Sequence, residues 1–191
     1  MLAGGTTPLA AYRALARLPS PPAAGLRILF SDERYVPADS PASNYRHARF
    51  LLDVLALPPA QLLRVRTELP LEDAARDYES QLRTLLDIGV RITLGLLGLG
   101  PDGHTASLFC TADLERARGR FAIPVQRPDG LAAVSVTPDF LAQIGEPVFV
   151  VAGSADKADA LRRLGAGDPD LIAWRAVQGC SQVALWICDE A

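Results

Sequence analysis

The sequence has no apolar run near the roughly 20 residues that a membrane-spanning helix requires. It has no basic stretch ahead of an apolar one at its start, MLAGGTTPL, so a secretory signal is not expected. Cysteine is scarce. Cys110, Cys180 and Cys188 stand at wide, irregular spacing, which fits neither a disulfide framework nor a zinc pattern. With only two histidines as well, a structural metal is not expected. An excess of positive charge is also missing. The net charge of −3 and pI of about 5.4 argue against a nucleic-acid partner, whose surface needs a basic face. Lysine is almost absent, since 18 of the 19 basic residues are arginine and only Lys157 is lysine. What remains is a globular composition, 49% hydrophobic and 21% charged, with the cytosol as the expected location.

Proline and glycine, 15 of each, punctuate the 191 residues evenly, with no internal repeat or linker. Thr7 followed by Pro8 reads as a cap and first position of a helix running to a break at Pro19. The apolar run 26–30 reads as a buried strand. Residues 43–57 read as a helix capped by Ser43 or Asn44. Residues 71–87 form the clearest amphipathic helix, with acids early and Arg83 late. Further strands are expected over 92–100, 131–137, 147–153 and 183–189, and helices over 138–144 and 155–164. Strands alternating with helices predict an α/β fold, a Rossmann-like sandwich with a mainly parallel sheet covered by helices on both faces. Ligands in such folds sit at the carboxyl ends of the strands, where the polar motifs of this chain fall.

The string from Gly98 to Gly103 matches G-x-G-x-x-G after a strand. A dinucleotide site is nevertheless disfavoured. Pro101 and Asp102 crowd the loop, and no strand ending in an acid follows about 20 residues on. The same loop supports a different chemistry. Asp102 and His104 lie two apart, and an imidazole held there can act as general base on a water, oriented by the carboxylate. His47, in the middle of a helix, fits a surface or packing role. No G-x-S-x-G elbow occurs, so an α/β-type serine hydrolase is disfavoured, and Cys110 beside Phe109 reads as packing. The turn Gly4-Gly5-Thr6-Thr7-Pro8 opens a helix, and its backbone N–H groups suit an anion, although an ordinary capped turn has the same residues. Arg34, in the run Asp32-Glu33-Arg34, has the fork geometry for a phosphate. If Ser154 caps the next helix, Lys157 stands in its first turn, where a cation opposes the helix dipole unless an anion is bound. Three anion-capable elements and one acid–histidine loop at the strand ends describe a small phosphorylated substrate handled by acid–base chemistry.

Four stretches, LAGGTTPLAAYRAL, FSDERYVPADSPASNYRHAR, GLLGLGPDGHTASLF and VVAGSADKADALRRL, resemble the ordered signatures of the 6-phosphogluconolactonase family. The resemblance implies the glucosamine-6-phosphate isomerase/deaminase-like fold. It implies hydrolysis of 6-phospho-D-glucono-1,5-lactone to 6-phosphogluconate, with no metal or nucleotide cofactor and a small sugar phosphate as the expected ligand. His104 is then the general base, with Asp102 beside it. Substrate contacts fall on Gly4, Gly5 and Thr6 of the first turn, Asp32 and Arg34, Asn44 of the Ser-Asn-Tyr element, Gly103, and Lys157. The sibling aminosugar deaminases share the D-G-H loop but read Asp-Glu-Tyr where this chain has Asp32-Glu33-Arg34. The chain also departs from the family pattern. Cys110 replaces a proline, Ala133 stands where an arginine is expected, and IAWRAV lacks a Pro-Ala pattern. Residues 1–191 read as one domain lacking the first helix and most of the first strand that the family has. That shortage motivates a second expectation, a sugar-phosphate-binding protein without catalysis.

Overall fold

The computed structural model describes residues 1–18 and 22–188. Its first half runs α1 (Thr6–Leu15), β1 (Asp32–Arg34), α2 (Asn44–Leu55), α3 (Leu71–Asp87) and β2 (Ile92–Leu97). There follow α4 (Thr111–Arg116), β3 (Ala122–Gln126), β4 (Ala132–Val136), α5 (Pro138–Leu141) and β5 (Ile144–Ala152). The chain closes with α6 (Ala158–Gly165), α7 (Ile172–Val177) and β6 (Ala184–Cys188). The break expected at Pro19 and the end of the last strand at Asp189 lie outside the described residues.

A parallel layer forms the centre. β5 pairs in parallel with β2 on one side and β6 on the other. Beyond β2 the layer continues through short extended segments. The Met1 nitrogen donates to Leu94 O at 2.7 Å, and Leu96 N donates to Met1 O at 3.0 Å. Leu2 bridges Phe30 in parallel, and Ile28 bridges Leu62 in parallel. The run 26–30 therefore lies in the layer as expected, held by isolated bridges rather than a regular ladder. Val148, Phe149, Val150 and Val151 of β5 are all buried, the unbroken apolar run of a strand covered on both faces. Val148 and Val150 face one apolar cluster with Tyr12 and Leu51 from α1 and α2. Phe149 and Val151 face the other, with Leu82 and Leu85 of α3.

Beside this layer stands a three-stranded antiparallel sheet in the order β1-β4-β3, which sequence patterning did not separate from the parallel part. The segment over 131–137 belongs to it as β4. β1, β3, α4 and α7 are elements that the sequence reading did not single out. The chain passes from one sheet to the other at Ser31, whose N–H donates to Leu2 O and whose carbonyl accepts from Val136 N, each at 2.8 Å.

Local boundaries follow local chemistry. α3 spans Leu71–Asp87 as its amphipathic pattern predicts, with Glu72 and Asp73 in its first turn. Arg83 lies before the last turn and pairs with Glu79 at 2.8 Å. Ser43 caps α2, its hydroxyl accepting from Arg46 N. The cap of α1 differs from expectation. It is Gly5, at φ 98°, so the helix starts at Thr6 and Thr7 is already inside it. Only glycine adopts that conformation without a steric cost. Lys157 also moves. Residues Ala155–Lys157 form a 3-10 turn, and Lys157 stands just before α6 rather than within its first turn. No helix among the described residues is long and apolar enough to cross a membrane.

Candidate active site

Two buried tyrosines end the strand pairing at the carboxyl edge of the layer. Ala3 N donates to Tyr12 Oη at 2.8 Å, and that hydroxyl donates back to Ala3 O at 2.9 Å. Phe30 N donates to Tyr78 Oη at 3.0 Å, which returns the bond to Phe30 O at 2.6 Å. Each hydroxyl takes the place of a neighbouring strand, and burial raises both phenol pKa values. Immediately beyond these stops the chain turns into Gly4-Gly5 and into Ser31-Asp32. Gly4 is glycine for a packing reason. A Cβ there would stand 2.2 Å from Asn44 Oδ1. Asn44 is buried, and its Nδ2 donates to Asp32 O at 2.9 Å.

Glu33 holds this corner together. Its Oε1 accepts from Arg34 N at 2.9 Å and Asn44 N at 2.7 Å. Its Oε2 accepts from Tyr45 N at 2.7 Å and Ser43 Oγ at 3.1 Å. Burial pushes the Glu33 carboxyl up in pKa, against the pull of those donors. The carboxylate thereby ties the free N–H groups of the α2 terminus to β1. Arg34, next along, donates from Nη1 to Ala42 O at 2.9 Å, and its buried Nε has no hydrogen-bond partner among the described residues.

The loop after β2 is closed on itself. Thr105 Oγ1 donates to Gly98 O at 2.8 Å, Gly100 N to His104 O at 2.9 Å, and Gly103 N to Gly100 O at 2.9 Å. Within that ring His104 Nδ1 meets Asp102 Oδ1 at 2.5 Å, and His104 N donates to the same oxygen at 3.2 Å. Partial burial acts to raise the Asp102 pKa, but the bonds and charge from His104 outweigh it and hold the carboxyl below its ordinary range. A Cβ on Gly100 would meet His104 Nδ1 at 2.1 Å, so this glycine serves the acid–histidine pair rather than a nucleotide. Gly103 has φ +83°, and a Cβ there would meet Leu171 Cδ1 at 2.3 Å. The imidazole also lies against Phe109, with ring centroids 4.4 Å apart and the planes tilted by 38°.

These elements surround a cavity of about 240 Å³. Gly4, Gly5, Thr6, Asp32, Arg34, His104 and Lys157 line it. Three other sequence candidates do not line it. Asn44 supports Gly4 and Asp32, Gly103 shapes the loop, and Asp102 holds the ring of His104. Among the described residues no group of three or more His, Cys, Asp or Glu side chains is arranged to hold a metal.

Sequence reasoning missed a polar chain on the antiparallel sheet. Asp32 is buried and accepts from Ser31 Oγ at 2.9 Å and from Ser107 Oγ at 2.8 Å. Ser107 Oγ in turn accepts from Arg127 Nη1 at 3.1 Å, and Arg127 lines the cavity. The signal available was Pro128-Asp129-Gly130, a turn tripeptide that closes the β3–β4 hairpin beside Arg127. Ala133, where the resemblance implies an arginine, pairs with Arg34 across the sheet and is fully buried.

Comparison with known proteins places these features in context. The family model described as glucosamine-6-phosphate isomerases/6-phosphogluconolactonase matches residues 1–186. A 6-phosphogluconolactonase of Thermotoga maritima is 40% identical over 131 residues, which take in 68% of this chain and 56% of that relative. A 6-phosphogluconolactonase of Synechocystis is 36% identical over 198 residues, 99% of this chain and 80% of the relative. The crystal structure of a Thermotoga maritima 6-phosphogluconolactonase superposes with a TM-score of 0.85 at 30% identity, covering 99% of this chain and 84% of that one.

Proposed function

The chain belongs to the glucosamine-6-phosphate isomerase/6-phosphogluconolactonase family, and from that membership and the cavity we propose that it hydrolyses 6-phospho-D-glucono-1,5-lactone to 6-phospho-D-gluconate. The reaction is a step of the oxidative pentose phosphate pathway, and the three free thiols fit the reducing cytoplasm. The observation that carries the reading is the His104–Asp102 pair, 2.5 Å apart, whose histidine lines the same cavity as Arg34 and Lys157.

The mechanism follows from the donor and acceptor roles. With Nδ1 directed at Asp102, the Nε2 lone pair of His104 is free to take a proton from water. The resulting hydroxide adds to the lactone carbonyl carbon. The tetrahedral oxyanion collapses, the bond from that carbon to the ring oxygen breaks, and the proton held by His104 passes to the departing alkoxide. Asp102 fixes the ring and stabilises the transient imidazolium. The phosphate is held by N–H groups of the Gly4–Thr6 turn at the start of α1, by Arg34 and by Lys157.

The test is lactone hydrolysis above the spontaneous rate by the wild type and by His104→Gln. Loss of a general base predicts a fall of roughly 10²–10⁴-fold in kcat with little change in KM. A folded wild type that gives no acceleration defeats the enzymatic reading. Full activity in His104→Gln defeats only the assignment of the base.

A further inference from the structure

Arg127 reaches the cavity from the antiparallel sheet. Cross-strand partners share a face, so Arg34, Ala133 and Val125 stand in one row on one side of that sheet. Arg127 lies two residues beyond Val125 and therefore on the same face, its N–H still in the ladder to Leu131 O at 2.9 Å. Ala133, the residue between Arg34 and Val125 in the register, carries only a methyl group and is fully buried, and Arg34 and Arg127 both line the cavity. Arg127 is itself well covered. Its side chain is 12% exposed, its Cζ lies 5.3 Å from the centre of the Phe109 ring, and Nη1 donates to Ser107 Oγ.

An anion already occupies the outer side of this guanidinium. Asp129, at the hairpin tip, accepts from Arg127 Nη2 at 2.8 Å and from Nε at 3.1 and 3.2 Å. Those bonds hold the Asp129 carboxyl below its ordinary range, and the charge of Arg34 adds to the effect. One carboxylate thus feels both arginines. It is also half exposed, at 49%, on a turn whose Gly130 has φ +84°. Arg34 keeps a buried Nε without a partner among the described residues.

We propose that Arg127 is a substrate-binding residue that takes the ligand's phosphate jointly with Arg34, and that Asp129 is an internal competitor which the phosphate displaces. The proposal deepens the sugar-phosphate reading of the same cavity and rests on it. A phosphate suits the exchange better than a carboxylate does. It presents three charged oxygens, enough for two forked guanidinium groups at once, and Asp129 supplies only two.

The two variants are expected to act in opposite directions, which a strut in the hairpin would not produce. The experiment measures binding rather than turnover. Calorimetric titration of the folded protein with inorganic phosphate, 6-phosphogluconate and gluconate is carried out on the wild type, Arg127→Gln and Asp129→Asn. Arg127→Gln is expected to weaken phosphate and 6-phosphogluconate by about ten-fold or more, the loss of one charged hydrogen-bonding partner. Asp129→Asn is expected to tighten both by about two- to five-fold, the release of a partly exposed ion pair. Gluconate is expected to be affected by neither. If both variants weaken phosphate alike, or neither moves it, the proposal is overturned. Loss of gluconate binding in Arg127→Gln with phosphate unchanged overturns it in favour of a carboxylate contact. Should Arg127→Gln fail to fold, Asp129→Asn decides alone, with tighter phosphate supporting the proposal and unchanged or weaker phosphate refuting it. A wild type that binds phosphate in this way yet hydrolyses no lactone leaves the Arg127 assignment standing and removes the lactonase reading.

Discussion

Replacing Gly4 by alanine puts a methyl carbon 2.2 Å from Asn44 Oδ1, 2.6 Å from Cγ and 2.7 Å from Nδ2, whereas ordinary contact begins at 3.4 Å. The clash has two ways to relax, and both are costly. Asn44 can swing aside, but its Nδ2 then releases Asp32 O inside a buried corner. Such a lost bond costs about 1–3 kcal/mol. Alternatively the Gly4 backbone moves, but Ala3 is held by Tyr12 and Gly5 opens α1, so the displacement passes into the turn that meets the phosphate. Overpacking of that kind costs about 1–3 kcal/mol. Gly4→Ala is therefore expected to lose about 3 kcal/mol in a urea titration. Its kcat/KM should fall about 10²-fold, because the anchoring turn shifts by about 1 Å relative to His104.

The decisive arm is the double variant. Asn44→Ala removes the clash together with the bond to Asp32 and should cost about 2 kcal/mol. With the clash gone, Gly4→Ala should add little to it, so the two losses should be non-additive by about 2 kcal/mol. A Gly4→Ala variant that loses less than about 0.5 kcal/mol would refute the argument. Strict additivity in the double variant would do the same, because it would mean that the Gly4–Asn44 contact is not the source of the effect.

Tyr12→Phe should leave the N–H and the carbonyl of Ala3 buried and unpaired, at a cost of about 3 kcal/mol in a chemical denaturation. A loss below about 1 kcal/mol would mean that another donor replaces the hydroxyl. Asp102 has a folded-state pKa below its ordinary value of 3.8, so its contribution to stability is present above that value and is lost as pH falls through the folded one. The stability gap between wild type and Asp102→Asn should accordingly be widest near neutrality and close in strongly acidic solution. A gap that widens on acidification would contradict the His104 hydrogen bond as its source.

Helices α2 and α3 were legible because their signals are local. α3 carries acids in its first turn and a clean apolar stripe, and its observed bounds are those expected. α2 carries a serine cap. The parallel strands were legible as apolar runs, in β5 because both of its faces are covered, whereas β6 is apolar yet largely exposed. The antiparallel sheet was not. β1 is only three residues long, all of them charged. β3 contains Pro124, which ordinarily counts against a strand. The topology explains the exception. β3 is the outer strand in the order β1-β4-β3, so one side of its backbone needs no ladder partner, and proline is tolerated there.

The same distinction governs the site. The stretches 4–6 and 98–104 announce themselves by their glycines, because the chain must turn sharply at a strand end, and Arg34 and Lys157 by their charge. Arg127 reaches the cavity through pairing across the sheet, and Ser107, which does not line the cavity, joins it through hydrogen bonds to Asp32 and Arg127. The register Arg34–Ala133–Val125 is what brings Arg127 to the face of Arg34, and a slip of one residue would turn it to the other face. Position 133 makes the point sharpest. Read along the chain, an alanine there is only a missing cation. Read across the sheet, its small side chain lies between a strand that supplies Arg34 and a hairpin that supplies Arg127. The place of Arg127 on the face of Arg34 is therefore a property of the register, which no single stretch of sequence contains.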